Sequence, residues 1–214
     1  MNFNILTKIK MNTTMKMINK GFLAMVLLSF VFLYSSCTSE DPEEENEEEL
    51  ITDVTLKFTE VNPAGEAIGT PFNVKAIDNQ GLGLGTTPTI ETITLIKGKR
   101  YMLEIELFNS IENEDITKEI KEEADEHQFY FLGTAFVGSA PLTYTYADEG
   151  SELVGLKGFV AVAQNPGFNN ATFRLVLRHD LNKSFPGANN PSFENFIQAG
   201  GETDLDIVFP LVLN

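Results

Sequence analysis

The feature that most constrains this chain is a period-two alternation that runs through its last three-quarters. In "ITDVTLKFTEV", Val54, Leu56 and Phe58 fall on one side and Asp53, Thr55, Lys57 and Thr59 on the other. That is the pattern of a strand with one face in a core and one in water. It recurs in "FNVKAI", "IETITLI", "KRYMLEIELFN", "HQFYFLG", "LTYTY", "GLKGFVAVA", "ATFRLVLRHDL" and "TDLDIVFPLVL", with Gly, Pro and Asn in the gaps. About nine short strands punctuated in this way predict an all-β fold, an immunoglobulin-like antiparallel β-sandwich. Residues 50–214 are long enough for one hydrophobic core, and with no cysteine among them that core must hold the fold without a disulfide. The segment "LIKGKRYMLEIELFN" reads as two strands joined at Lys97-Gly98-Lys99. Pro210 has no N–H to give to a ladder, which predicts an edge position or a bulge in the last strand.

One stretch breaks the alternation. "NEDITKEIKEEADEH" has Asn113 as a cap, acidic residues in its first turn, and Ile116, Ile120 and Ala124 at steps of four. This predicts a short helical insertion of about three turns between two strands. At about 100° per residue, Asp115, Glu119, Glu122 and Glu126 share one flank, where like charges cost a few tenths of a kcal/mol per pair. Either water and salt or a bound cation offsets that repulsion.

Ahead of the domain the chain reads as an address. Lys16 and Lys20 precede the apolar run "GFLAMVLLSFVFLY", whose length lies within the ~7–15 residues of a signal-peptide core and short of the ~20 that span a bilayer. The run is closed by "SSC", and Cys37, the only cysteine, follows small residues as in a bacterial lipobox. Residues 1–36 are therefore expected to be a lipoprotein signal peptide. Lipid on Cys37, at ~0.8 kcal/mol per buried methylene, would hold the protein on a membrane. Thr38 to Glu49 carry eight carboxylates and no basic residue, so residues 37–49 are expected to be an acidic disordered tether and residues 50–214 the folded domain. An acidic run behind a lipidated Cys also resembles the surface-export signal of Bacteroidota-type lipoproteins.

The formal net charge is −16, and the leader removes Lys8, Lys10, Lys16 and Lys20 with no acid. So acidic a surface repels phosphate backbones, which excludes nucleic acid as a partner.

His127 and His179 are the only histidines. His127 lies on the row of Phe129 and Phe131, and His179 ends the row of Phe173, Leu175 and Leu177, so both are expected to point inward from the ends of core-facing rows. Imidazole suits zinc, copper and iron, and zinc takes at least three protein ligands. His127 and His179 with one of Glu123, Glu126 or Asp180 would meet that count, provided that the ring nitrogens come within about 5 Å. The alternative is a pair of core-edge histidines bonded to backbone or carboxylate. In "YADEGSE", Asp148, Glu149 and Glu152 could offer oxygens to calcium, without the regular spacing of a calcium loop. Phe168, Phe185, Phe193 and Phe196, beside amides, read either as a sugar or peptide platform or as loop plugs. No Gly-x-Ser-x-Gly elbow or His-Glu-x-x-His motif is present, so no catalytic residue is assigned and the expectation is a protein that is not an enzyme.

Taken together, "SSC" with its acidic tether, "KGKRYMLEIELFN", "ITKEIKEEADEHQFYF", "LRHDLNKS" and "GGETDLDIVFPLVLN" resemble a group of small outer-membrane lipoproteins of Bacteroidota-type bacteria found alongside TonB-dependent receptors. The resemblance implies nutrient capture, with His127 and His179 as the family-like positions. The expected function is thus a cell-surface lipoprotein that binds a ligand or partner, a transition metal such as Zn or a metal complex, for a TonB-linked uptake system. A structural or adhesion module with no small-molecule site is the alternative.

Overall fold

In the computed structural model of the protein, residues 49–83 and 87–214 are described. The expected signal peptide, Cys37 and the tether up to residue 48 lie outside them. Among the described residues the strands are β1 (Asp53–Val61), β2 (Phe72–Ile77), β3 (Thr89–Ile90), β4 (Ile93–Leu95), β5 (Arg100–Phe108), β6 (Gln128–Leu132), β7 (Leu142–Tyr146), β8 (Lys157–Val162), β9 (Asn170–His179) and β10 (Glu202–Leu213), with one α-helix, α1 (Ile116–Glu122), between β5 and β6 and a 3-10 turn at Phe196–Ala199. A six-stranded antiparallel sheet runs β3-β2-β1-β5-β8-β7, and a four-stranded sheet runs β4-β10-β9-β6. Among the described residues no helix is long and apolar enough to cross a membrane.

The mostly β, two-sheet architecture agrees with the alternation, but the pairing is not wholly antiparallel. "IETITLI" divides at Glu91-Thr92, so that Thr89–Ile90 joins β2 while Ile93–Leu95 joins β10 in the other sheet. Lys97-Gly98-Lys99 therefore connects two sheets and is not a hairpin. β4 meets β10 in the direction set by this crossing, which is parallel. The division also raises the strand number from the expected nine to ten.

The inward rows make one core. Val54, Leu56 and Phe58 of β1 and Leu103, Ile105 and Leu107 of β5 face Phe129, Phe131, Phe173 and Leu175 across the gap, and each large side chain buried there contributes about 1.5–3 kcal/mol. Every residue of β6 is buried, because the outer face of its sheet is also covered. Tyr130, Leu132 and Val176 lie there beneath Phe196 and Ala199, with Phe185 and Phe193 packed against them. Those three phenylalanines are plugs of a covering segment, and they take the loop-plug alternative over an aromatic platform.

Helix α1 has about two turns rather than three. Asp115 takes the N-cap position without a side-chain capping bond, whereas Asn113, the expected cap, lies earlier at φ 59°. Ile116 and Ile120 are buried against β5. The Thr117 hydroxyl accepts from the Leu107 N–H (2.7 Å) and donates to the Leu107 carbonyl (3.0 Å), which completes backbone pairing that β8 does not reach.

Pro210 lies in β10, which is central in its sheet rather than at an edge. The Leu213 N–H bonds toward β9 and the Asn214 N–H toward β4, so by alternation the nitrogen of residue 210 faces the β4 side. Pairing with β4 begins only at Leu211. The missing N–H thus falls where that flank is uncovered, as the ladder chemistry requires. The bulge of β10 is elsewhere, between Thr203 and Leu205.

Candidate metal centre

One end of the molecule gathers the last turn of α1, the residue before β6, the end of β9, the start of β10 and the residues leading into β1. The Glu123 carbonyl closes α1 and accepts from the N–H groups of Glu126 (2.9 Å) and His127 (3.3 Å). It also takes the hydrogen of His127 Nδ1 at 3.2 Å. A backbone carbonyl on Nδ1 fixes the tautomer and leaves Nε2 as the atom that faces a ligand. In front of Nε2 stand Glu49 Oε1 at 2.9 Å and Asp204 Oδ2 at 3.8 Å, and the three side chains are 0%, 5% and 0% exposed. The 2.9 Å approach is not aligned as a hydrogen bond, and neither Nε2 nor Glu49 Oε2 finds an aligned partner among the described residues.

The bulge in β10 delivers Asp204. Glu202 pairs with His179 and Thr203 with Arg178, but Leu205 pairs with Leu177, which leaves Asp204 as the extra residue. A bulge re-aims a side chain in this way; without it, Asp204 would fall on the outward row of Asp206 and Val208. The Arg178 guanidinium pins the neighbouring backbone, donating to the Thr203 hydroxyl and to the Gly200 and Gly201 carbonyls (2.6 Å each). Gly201 has φ 71°, and a Cβ there would lie 2.0 Å from the His179 carbonyl oxygen. Only glycine lets β10 start so close to the end of β9.

His179 stacks on His127 with ring centroids 4.3 Å apart and planes 15° from parallel. Its Nε2 lies 3.5 Å from Glu126 Oε2, and Glu123 Oε2 is 3.9 Å from His127 Nδ1. Two sets of donor atoms result, Glu49/His127/His179/Asp204 and Glu123/Glu126/His179, each within 4.8 Å of one another. Donors bound at ~2.0–2.1 Å to a tetrahedral zinc stand roughly 3.3 Å apart, so the spacings suit a first-row divalent ion. A nitrogen lone pair lies in the ring plane, however, and two nearly parallel planes do not converge on one ion. An ion facing His127 Nε2 would therefore find Glu49 and Asp204 as partners, and His179 would join them only by turning its ring.

His127 and Glu49 also act on each other through their charges. Burial pushes Glu49 up, but the imidazoles of His127 and His179 outweigh it and leave the carboxyl below its ordinary value. Burial likewise pushes His127 down, and the Glu49 carboxylate overrides it, so that this imidazole is raised. Each of the two thus holds the other in its charged form, and Asp204 lies in the field of the Arg178 guanidinium.

Of the residues singled out in the sequence, His127, His179, Glu123 and Glu126 come together here. Asp180 is in neither set of donor atoms; it is exposed at φ 54°, where the chain leaves β9. The helical stripe does not form one site either, because α1 ends at Glu122 and Glu122 pairs with Lys118 at 3.5 Å. The calcium candidates have other partners. Asp148 accepts from the N–H groups of Gly155 (2.8 Å) and Lys157 (3.0 Å), Glu149 meets Lys157, and Glu152 meets Lys183. Glu49 and Asp204 were not expected at the site. Glu49 is the last residue of the expected tether, and its one signal is that it stands one residue ahead of the buried Ile51 and Thr52; Asp204 has none, since a bulge is not written in alternation.

Comparison with protein-family models, with curated proteins and with solved structures finds no match to this chain.

Proposed function

We propose that this protein is a non-catalytic, metal-binding lipoprotein of the cell envelope. A first-row divalent ion such as zinc is held by His127 Nε2, Glu49 and Asp204, with His179 beside them. The observation that carries this reading is the buried Nε2, its tautomer set by the Glu123 carbonyl and two buried carboxylates in front of it. The donor set is nitrogen and oxygen without sulfur, which suits zinc, iron or manganese better than copper(I). The lipobox-like "SSC" and the acidic run behind it support anchoring through Cys37 in the outer membrane, exposed at the cell surface. The resemblance noted above supports work beside a TonB-dependent receptor.

Isothermal titration of the metal-free protein with zinc is expected to show binding that His127→Gln removes while the circular dichroism of the folded chain is kept. Absence of binding in the wild type sinks the proposal. It would leave the second reading, a structural or adhesion module in which Glu49 and His127 form a buried ion pair that fastens the start of the sandwich; the 2.9 Å contact favours that reading. For the anchor, labelled fatty acid is expected to enter the wild type and not Cys37→Ala.

A further inference from the structure

The stacking of the two imidazoles raises a question that one ion does not answer. His179 is almost as buried as His127, with its side chain 7% exposed, and it brings a second nitrogen donor to the cluster. Yet its plane runs nearly parallel to that of His127, 4.3 Å away, so its lone pairs pass beside the ion that faces His127 Nε2. They meet different oxygens. Glu126 Oε2 stands 3.5 Å from His179 Nε2, and a Glu123 oxygen lies within 4.8 Å of a ring nitrogen of His179 and a carboxylate oxygen of Glu126. Lys183 holds the turn that carries these two glutamates, since its ammonium donates to the Ala124 carbonyl and to the Leu153 carbonyl at 3.3 Å.

The geometry points to a second divalent-cation site, formed by His179 Nε2, Glu126 and Glu123 at the rim of the buried one, so that the cluster takes two ions rather than one. This inference rests on the metal reading above and extends it. Parallel rings that cannot share an ion can each hold their own. The cluster then has two imidazoles and four carboxylates, a donor set of the kind that carboxylate-rich two-metal centres use. The two sites differ in burial. Glu49 and Asp204 are 5% and 0% exposed, whereas Glu123 and Glu126 are 45% and 44% exposed. The rim ion keeps water ligands and exchanges readily, while the inner ion is held with the protein closed around it. The rim site is thus the weaker of the two.

The test is zinc titration of the whole metal-free protein, read by native mass spectrometry and calorimetry, beside Glu123→Gln/Glu126→Gln and Glu49→Gln. The wild type is expected to bind two zinc ions in a tight and a weak class. The double variant is expected to lose the weak class and keep the tight one within about threefold. Glu49→Gln should weaken the tight class selectively. One ion, bound equally by wild type and double variant, overturns the second site and leaves the metal reading intact. Two ions that both survive the double substitution overturn it as well, because the second then lies elsewhere. No zinc bound at all overturns both.

Discussion

At the scale of the residue, the account rests on a nitrogen and a carboxylate that face each other in the interior. Glu49→Gln keeps the shape and removes the charge, so zinc affinity is expected to fall ~100-fold, about 2.7 kcal/mol, in the same calorimetric titration. The pH dependence follows from the directions of the shifts. The folded His127 is raised above 6.5, so its contribution to the metal-free fold is full below that value and lost as pH rises through the raised one. Glu49 is lowered below 4.5, so its contribution is full above that value and lost as pH falls through the lowered one. Metal changes the sign on the alkaline side, because zinc needs the deprotonated Nε2. Thermal unfolding in the presence of a chelator is therefore expected to weaken above pH 6.5, while the stabilisation added by zinc grows with pH. A zinc increment that is flat across this range would contradict His127 as a ligand. The histidines were legible in sequence because each ends an apolar row, and an inward polar residue in such a place is conspicuous. Of their partners, Glu123 and Glu126 were legible and Glu49 and Asp204 were not: Glu49 looks like seven other acids around it, and its contact with His127 is what distinguishes it.

At the scale of the element, the site depends on one irregularity. The strands followed from alternation nearly residue by residue, since side chains at steps of two must share a face. The bulge at Asp204 lies outside that rule, as does the change of sheet at Glu91-Thr92, because both are decided by what the rest of the fold leaves uncovered. Gly201 makes the bulge reachable. Gly201→Ala puts a side chain at positive φ and against the His179 carbonyl, which is expected to cost about 1–3 kcal/mol. Denaturant unfolding measures that cost, and zinc affinity should fall with it, since Asp204 and His179 are displaced together. An unchanged midpoint would show that the close approach of β9 and β10 relaxes freely.

At the scale of the whole molecule, the centre joins segments that are far apart in sequence: the residues before β1, the α1–β6 turn and the facing ends of β9 and β10. An ion there would fasten both sheets at once and bind only the folded chain. At a free concentration ~100 times its Kd it adds about 2.7 kcal/mol, or roughly 5–10 °C in Tm for a domain of this size. Differential scanning calorimetry checks that value. With Glu49 as a proposed ligand, zinc should also slow cleavage after Glu49 by a glutamate-specific protease, and His127→Gln should remove that protection.

The most direct measurement is the anomalous scattering of a zinc-soaked crystal at the zinc edge. The account predicts a peak within ~2.0–2.2 Å of His127 Nε2 and of one oxygen each from Glu49 and Asp204. Peaks confined to exposed carboxylates, with His127 Nε2 still turned to Glu49 alone, would contradict it.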